Sequence, residues 1–346
     1  MQVQPTMLTR PARASSSARP SVPGAASDPA PSSSLRSPMA AQVQDWLRVE
    51  PTLPLPGRGA TCDRWATLAR IAASDVCMAK VLEAHHDAVA INAELGYHAA
   101  DAGQLWAVWA AEPPGLALLL DRCRGTLTGT KGWCSGADLA TDALVTCTDG
   151  QNRQLVHVRL DAPGLGPVAA RWDAVGMARV VSGSLTFDQV PATPVGEPGQ
   201  YLSRPGFWHG GAGIAACWFG ATSAIAETLR VHGNATRDPH AAAHLGMIDV
   251  QLSALRALLR ETAGVIDAQP GRAHRHAVMR VRSLAERVAT ETIDRVGRAL
   301  GAGPLCQDAA HAQRCADLAT FIRQSHAERD WASLGEAAAQ GHGWAL

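Results

Sequence analysis

The side chains of this sequence with the widest chemical range are its histidines, carboxylates and cysteines. His85 and His86 are adjacent in a segment with helical periodicity. Neighbouring residues on a helix point about 100° apart, and the sequence nearby supplies no further ligand, so this pair does not predict a metal site. We interpret both histidines as polar residues on a half-buried helix, and we expect no metal.

A second polar cluster lies near the C-terminus, in the segment Gln324-Ser-His-Ala-Glu-Arg-Asp. The side chains of Gln324 and Ser325 are poor proton acceptors near neutral pH, whereas an imidazole such as that of His326 titrates close to it. Glu328 is the other candidate base, but on a continuous helix it would point about 200° away from His326. The two are therefore competing catalytic candidates. The alternative is that both are ordinary polar residues on or before a terminal helix.

The composition predicts a soluble, cytoplasmic protein. Thirty-one basic residues balance 31 acidic residues, so there is no overall charge to attract nucleic acid or an anionic membrane. The eight cysteines show neither a CxxC pair nor a Cys/His spacing typical of zinc, which favours free thiols in a reducing compartment. No apolar run reaches the ~20 residues that a membrane-spanning helix needs.

The residue pattern divides the chain into five segments. Residues 1–40 are rich in Ser, Pro and Ala and predict a disordered tail, with a targeting signal as the alternative because their charge is mostly basic. Residues 41–104 predict a short helical domain, residues 105–197 a β domain of short strands between Gly, Asp and Pro turns, and residues 198–336 a bundle. Residues 337–346 are a tail. The predicted fold class is α+β, with an N-terminal helical unit, a small antiparallel β-barrel or sandwich and a C-terminal four-helix bundle.

The bundle prediction rests on four periodic stretches with short connections. Residues 206–213 are rich in glycine, and we interpret them as flexible. Residues 214–231 are apolar on nearly every side, as expected for a central helix. Further helices are predicted over residues 245–267, 278–300 and 311–334. The first and third of these four helices carry more apolar surface than one core covers, which predicts a homodimer or homotetramer.

The order of helical unit, β domain and bundle is similar to that of the acyl-CoA dehydrogenase family, and several motifs agree with it. Trp109-Ala-Ala-Glu-Pro-Pro-Gly resembles a degraded form of that family's Thr-Glu-Pro-rich flavin loop, and Lys131-Gly-Trp-Cys-Ser-Gly-Ala resembles its Lys-x-Trp-Ile-Thr-x-Gly strand. Arg171-Trp-Asp-Ala-Val-Gly-Met and Leu185-Thr-Phe-Asp-Gln-Val-Pro resemble its paired Gly-Met and Phe-x-x-Val-x-Val-Pro segments. Leu300-Gly-Ala-Gly resembles its Phe-Gly-Gly-x-Gly turn.

The resemblance implies FAD as cofactor, bound between the β domain and the bundle. The implied contacts on the flavin ring are Trp109, Ala110 and Ala111 in one segment and Trp133, Cys134 and Ser135 in the other. Trp133 would shield one face of the ring, although it could instead be a core residue of the β domain. Ser135, where the family has threonine, would donate a hydrogen bond toward the ring.

The resemblance also implies more remote contacts to the cofactor. Arg237 would pair with the FAD pyrophosphate of an adjacent subunit, since a guanidinium matches phosphate bidentately; it could equally be a solvated turn residue. Gly301 and Gly303 would let the backbone approach the cofactor, although glycine is common at a helix C-terminus for other reasons.

The implied activity is α,β-dehydrogenation of an acyl-CoA or a related acyl thioester, with an electron-accepting partner. The family's glutamate base is missing, because its position falls near Gln324 or Ser325, and this leaves His326 or Glu328. Two alternatives stay open. Flavin-dependent monooxygenases of the same superfamily use a histidine near this place, and a non-catalytic scaffold would explain both the lost base and the eroded flavin loop.

Overall fold

The computed structural model describes residues 38–98, 100–101, 103–168, 172–341 and 344. Most of the predicted tail (residues 1–37), Arg171 of the Gly-Met motif and four of the last five residues lie outside the described residues.

Three helices come first: α1 (Pro38–Val49), α2 (Thr61–Ser74) and α3 (Val76–Glu94). Helix α1 begins inside the range that we predicted as tail. The carboxylate of Asp75 accepts a hydrogen bond from the backbone nitrogen of Met78 at 2.9 Å and so caps the start of α3. Most residues of α3 are buried, including several that carry polar side chains.

The middle segment forms one sheet of seven strands: β1 (Trp106–Trp109), β2 (Leu118–Asp121), β3 (Thr126–Lys131), β4 (Asp142–Thr148), β5 (Arg153–Arg159), β6 (Leu185–Pro191) and β7 (Thr193–Val195). Their order is β6-β3-β2-β4-β5-β7, and β1 pairs with β4. The hairpins β2–β3 and β4–β5 are antiparallel, as predicted, but β1 runs parallel to β4. Strand β2 is also parallel to β4, where Leu119 pairs with Thr148, so the sheet is mixed.

The rest of the chain is helical: α4 (Gln200–Ser203), α5 (Gly206–Arg230), α6 (Asn234–Arg237), α7 (Pro239–Ala268), α8 (Arg275–Leu300), α9 (Gly303–Gln307), α10 (Ala309–Phe321), a 3₁₀ turn (Ile322–Gln324) and α11 (Glu328–Gln340). Helices α5, α7, α8 and α10 are the four predicted bundle helices. None of the helices in the described ranges is long and apolar enough to cross a membrane.

The fourth bundle helix differs from its prediction. We expected one helix over residues 311–334, but α10 ends at Phe321. Ser325 after the 3₁₀ turn has an extended backbone, with φ −67° and ψ 147°, and Ala327 has a positive φ of 46°. A new helix, α11, then starts at Glu328 and continues to Gln340, inside the predicted tail 337–346. No glycine or proline marks this break, so the sequence pattern did not reveal it.

The glycine-rich stretch 206–213 is also different, because it is helical and forms the first two turns of α5. The glycines of α5 permit close packing. A Cβ atom at Gly210 would lie 2.4 Å from Oδ1 of Asp87 on α3, and one at Gly220 would lie 2.0 Å from the carbonyl oxygen of Ala69 on α2. These glycines therefore bring α5 against α2 and α3, and the largest apolar core joins the three helices to α7, α8 and α10.

Candidate functional site

A cavity of about 690 Å³ lies between α3, one end of the sheet and the end of α10. Six of the predicted site residues line this cavity: Trp109, Ala110, Ala111, Trp133, Ser135 and His326. They come from three regions that are far apart in the sequence. A volume of this size is typical of a small-molecule or cofactor site.

Trp133 presents its indole ring to the cavity. The residue is 54% exposed, and its ring meets the ring of Trp172 edge-on, with centroids 6.5 Å apart. Its φ of 58° is rare for a bulky residue and is held here by the surrounding loop. A core tryptophan of the sheet would be covered, so the alternative interpretation of Trp133 as a core residue is wrong.

Trp109 and Ser135 are joined by a hydrogen bond. The Trp109 side chain is almost fully buried, and its indole nitrogen donates to the carbonyl oxygen of Ser135 at 3.1 Å. The hydroxyl groups of Ser135 and Ser182 lie 2.7 Å apart, and both residues line the cavity. The hydroxyl of Ser182 can donate either to the carbonyl oxygen of Val180, at 3.3 Å, or to Ser135. When it donates to Ser135, the hydroxyl hydrogen of Ser135 is free to donate to a ligand.

Lys131, at the start of the same motif, fixes the strand that leads to Trp133. It is 3% exposed, and its Nζ atom donates to both the carbonyl and the hydroxyl oxygen of Thr146 at 2.8 Å. Burial lowers the pKa of the Lys131 ammonium group to about 8. The lysine therefore ties β3 to β4 from inside the sheet.

The Gly-Met motif fixes the loop before β6 against α10. The backbone nitrogen of Met177, a cavity residue, donates to the carboxylate of Asp317 at 2.5 Å. The indole nitrogen of Trp172 donates to the carbonyl oxygen of Met177 at 3.1 Å. A Cβ atom at Gly176 would lie 2.0 Å from the carbonyl oxygen of Ala316, so this close approach requires glycine.

The bundle wall of the cavity is formed by the break between α10 and α11. Gln324, Ser325 and His326 all line it, so the cavity-lining part of this break supplies no carboxylate. The Nδ1 atom of His326 lies 3.4 Å from a carboxylate oxygen of Asp330. Glu328 does not line the cavity. The expected angle of about 200° between His326 and Glu328 assumed a continuous helix, and the chain is not helical between them. The two residues differ instead in location, because His326 lines the cavity and Glu328 does not.

The α3 wall carries three ionisable side chains, Lys80, Glu83 and Asp87. Glu83 is 5% exposed, and burial raises the pKa of its carboxyl group to about 7. Burial also raises the pKa of Asp87. We did not predict these three residues. Their spacing of three and four residues, which places them on one face of the helix, is the signal that could have identified them.

Four predicted cofactor residues lie away from this cavity. Cys134 is fully buried, and its thiol donates to the carbonyl oxygen of Lys131 at 3.2 Å, so it supports the loop and does not line the cavity. Arg237 is exposed on α6, and its Nε atom donates to the carbonyl oxygen of Gly233. Gly301 ends α8 with a φ of 67°, and Gly303 lines a separate surface cavity beside α5 and α9.

Solved structures that align with this chain include two CoA-ester dehydrogenases and a monooxygenase. Butyryl-CoA dehydrogenase from Megasphaera elsdenii aligns with a TM-score of 0.70 at 15% identity, covering 86% of this chain and 89% of its own. A glutaryl-CoA dehydrogenase from Mycobacterium smegmatis, in complex with FADH2, aligns with a TM-score of 0.69 at 15% identity, covering 89% and 95%. TdsC, a dibenzothiophene monooxygenase from Paenibacillus sp. A11-2 solved with FMN and indole, aligns with a TM-score of 0.67 at 18% identity, covering 86% and 93%.

No protein-family model matches the sequence, and no curated protein is significantly similar to it. The structural likeness nevertheless extends over most of each chain, through the N-terminal helices, the sheet and the bundle. The resemblance predicted from the motifs is confirmed at the level of the fold: this chain has the acyl-CoA dehydrogenase fold.

Proposed function

We propose that this protein is a flavin-dependent oxidoreductase whose flavin ring lies in the cavity between α3, the sheet and α10. The proposal rests on the convergence of Trp133, Ser135 and the residues after Trp109 on one cavity, opposite the break at His326. Two of the three compared structures hold a flavin in the same fold, as FADH2 in the glutaryl-CoA dehydrogenase and as FMN in TdsC.

The residues present fit such a cofactor. The exposed indole of Trp133 would cover one face of the flavin ring, and the hydroxyl of Ser135 would donate to its polar edge. We propose FAD as the flavin. Arg237 is exposed, and in an assembly it would pair with the pyrophosphate of the FAD of a neighbouring subunit.

The proposed reaction is α,β-dehydrogenation of an acyl thioester or a related acyl substrate, with the electrons passing on to a separate acceptor. Bound flavin would supply the two-electron acceptor. His326 is the proposed proton acceptor from this chain, since it is the only one of our two candidate bases that lines the cavity. Asp330, beside its Nδ1 atom, would orient the imidazole.

Titration of flavin-free protein with FAD, and separately with FMN, tests the cofactor. Saturable binding of FAD is expected, and Trp133→Ala should weaken it by about two- to tenfold, because one aromatic contact is worth about 0.5–1.5 kcal/mol. Trp331→Ala is the matched control, since Trp331 is also exposed but lies on α11 and does not line the cavity. A chain that takes up neither flavin would leave only a scaffold role.

A second candidate is flavin-dependent monooxygenation. The observation that favours it is the absence of a carboxylate at Gln324 and Ser325, with a histidine at the next position of the cavity wall. Two experiments distinguish the two functions, the first anaerobic and the second in the presence of oxygen. A dehydrogenase should have its bound flavin reduced by an acyl-CoA, whereas a monooxygenase should take up externally reduced flavin and consume oxygen only when its organic substrate is present.

We also propose a homodimer or homotetramer. Helix α5 is now seen to be central and covered, so its apolar surface is used inside the chain. On α7, however, Met247 is 48% and Val250 is 68% exposed. Light scattering should give a mass of at least twice 36.3 kDa. A monomer that binds FAD fully would exclude a site shared between subunits.

A further inference from the structure

The cavity wall formed by α3 is unusual for a site that would hold an alkyl chain. Lys80, Glu83 and Asp87 lie three and four residues apart, so they project from one face of the helix, and all three line the cavity. We name this set the α3 polar face. The side chain of Glu83 is 95% buried, since only 5% of the residue is exposed.

The α3 polar face has no partner of its own. Within the ranges that the structure describes, none of its three side chains makes a hydrogen bond or an ion pair. Lys80, Arg64, Arg204 and Arg282 act on the two carboxyl groups only through their charge. The hydrogen bonds of the three arginines go elsewhere: Arg64 donates to the carbonyl oxygen of Pro54, Arg204 to the carboxylate of Glu94, and Arg282 to the carbonyl oxygen of Gly211. The hydrogen-bonding capacity of the two carboxyl groups therefore remains to be matched from inside the cavity, with Lys80 beside them as a counter-charge.

A buried polar group without a hydrogen-bond partner is costly, and a ligand that supplies the partner recovers that cost. An alkyl chain packed against the α3 polar face would instead displace water from Glu83 and Asp87 without replacing its hydrogen bonds. Sites built in this way discriminate strongly against analogues that lack the matching polar group. The wall formed by α3 thus favours a substrate with a polar group at the end that lies against it over a substrate with an alkyl end.

We propose that the α3 polar face binds the remote end of the substrate, and that this end carries a hydrogen-bond donor, either an amino or a hydroxyl group. This inference rests on the proposed function, because it assumes that the reacting end of an acyl substrate lies against the flavin. The carboxylates of Glu83 and Asp87 accept from the donor group, and Lys80 balances their charge.

Three acyl-CoA esters of equal chain length test the proposal: pentanoyl-CoA, 5-hydroxypentanoyl-CoA and 5-aminopentanoyl-CoA. Their binding to the whole protein, as purified, is measured by isothermal titration calorimetry, which reports affinity whether or not catalysis occurs. At least one donor-bearing ester should bind about 100-fold more tightly than pentanoyl-CoA. Equal affinities, tighter binding of pentanoyl-CoA, or no binding of any ester would overturn the proposal.

Variants of Glu83 locate the effect. Glu83→Leu should reduce the preference to about threefold or less, and Glu83→Gln should retain the preference for the hydroxyl ester but lose most of that for the amino ester. If Glu83→Leu does not fold, the isosteric Glu83→Gln carries the test. Glu261→Leu on α7 is the control, because it removes an exposed carboxylate away from the cavity and should leave the preference unchanged.

These outcomes separate the inference from the function on which it rests. A protein that binds FAD and is reduced equally well by all three esters keeps the proposed function and loses the α3 inference. A protein that binds no flavin loses the proposed function, and the calorimetric comparison still decides whether the α3 polar face prefers a donor.

Discussion

The carboxylate of Asp317 accepts a hydrogen bond of 2.5 Å from the backbone nitrogen of Met177, 140 residues earlier in the chain. The same carboxylate oxygen accepts a second hydrogen bond, from the side-chain amide of Gln313 at 2.7 Å, and Asp317 is 1% exposed. Through this contact α10 holds the loop that carries Met177 and Trp172, so it fixes the distance between the sheet wall and the bundle wall of the cavity.

Removal of this carboxylate should therefore loosen both the fold and the site. Asp317→Ala leaves a buried backbone N–H without its partner, and we expect it to lower the free energy of unfolding by about 2–4 kcal/mol. Chemical denaturation measures this loss. Asp294→Ala is the control: Asp294 is exposed and forms a surface ion pair with Arg298, so the change should stay within about 0.5 kcal/mol. Equal losses in the two variants would contradict the role assigned to Asp317.

The pH dependence of stability should reveal the buried carboxyl group of Glu83. Its pKa is raised from 4.5 to about 7 in the folded protein, so between these values the folded state binds more protons than the unfolded state. The contribution of Glu83 to stability therefore falls as the pH rises from about 4.5 to about 7, by up to about 3 kcal/mol. The free energy of unfolding is measured against pH for the parent and for Glu83→Gln, and the difference between them gives the contribution of Glu83. If the two proteins show the same pH dependence, the raised pKa of Glu83 is contradicted.

The comparison with Glu83→Gln is needed because two buried histidines make the protein more stable, not less, as the pH rises. Burial lowers the pKa of His85 to about 4 and that of His86 to about 3, so the unfolded state binds more protons than the folded state below pH 6.5. Their contribution to stability is complete above that pH and is lost as the pH falls. In Glu83→Gln, where the opposing carboxyl group is gone, stability should thus rise with pH more steeply than in the parent.

His326 and Glu328 can be distinguished by kinetics. If His326 is the proton acceptor, His326→Ala should slow the reduction of bound flavin by substrate about 10²–10⁴-fold. Glu328→Ala should change it little, because Glu328 does not line the cavity. Stopped-flow absorbance measures both rates. If the parent rate survives in His326→Ala, another residue is the base or the reaction does not abstract a proton.

The sequence allowed the fold, and six of the residues that line the candidate cavity, to be predicted because their signals are local. Helical period, strand period and turn residues identified the three structural segments, and Trp133 and Ser135 were found because they stand in a motif of contiguous residues. The Gly-Met motif was recognised in the same way, and the structure shows its physical basis in the close approach of Gly176 to α10.

The features that could not be predicted depend on contacts between distant segments. The helix break at Ser325 contains no glycine or proline, the residues that usually indicate the end of a helix in a sequence. Residues 206–213 looked flexible because glycine is a poor helix former, but packing against Asp87 and its neighbours outweighs that preference. Cys134 lies between Trp133 and Ser135, which both line the cavity, but its own side chain is fully buried in the core. Adjacent residues in this loop therefore point in different directions.

The absorption spectrum of the purified protein, recorded before and after anaerobic addition of an acyl-CoA ester, tests the central claim most directly. The purified protein should show the visible absorption bands of oxidised flavin and should release FAD on denaturation. A substrate that carries a polar group at its remote end should bleach those bands. A colourless protein that gains no such bands when FAD is added would contradict the claim that the cavity beside Trp133 is a flavin site.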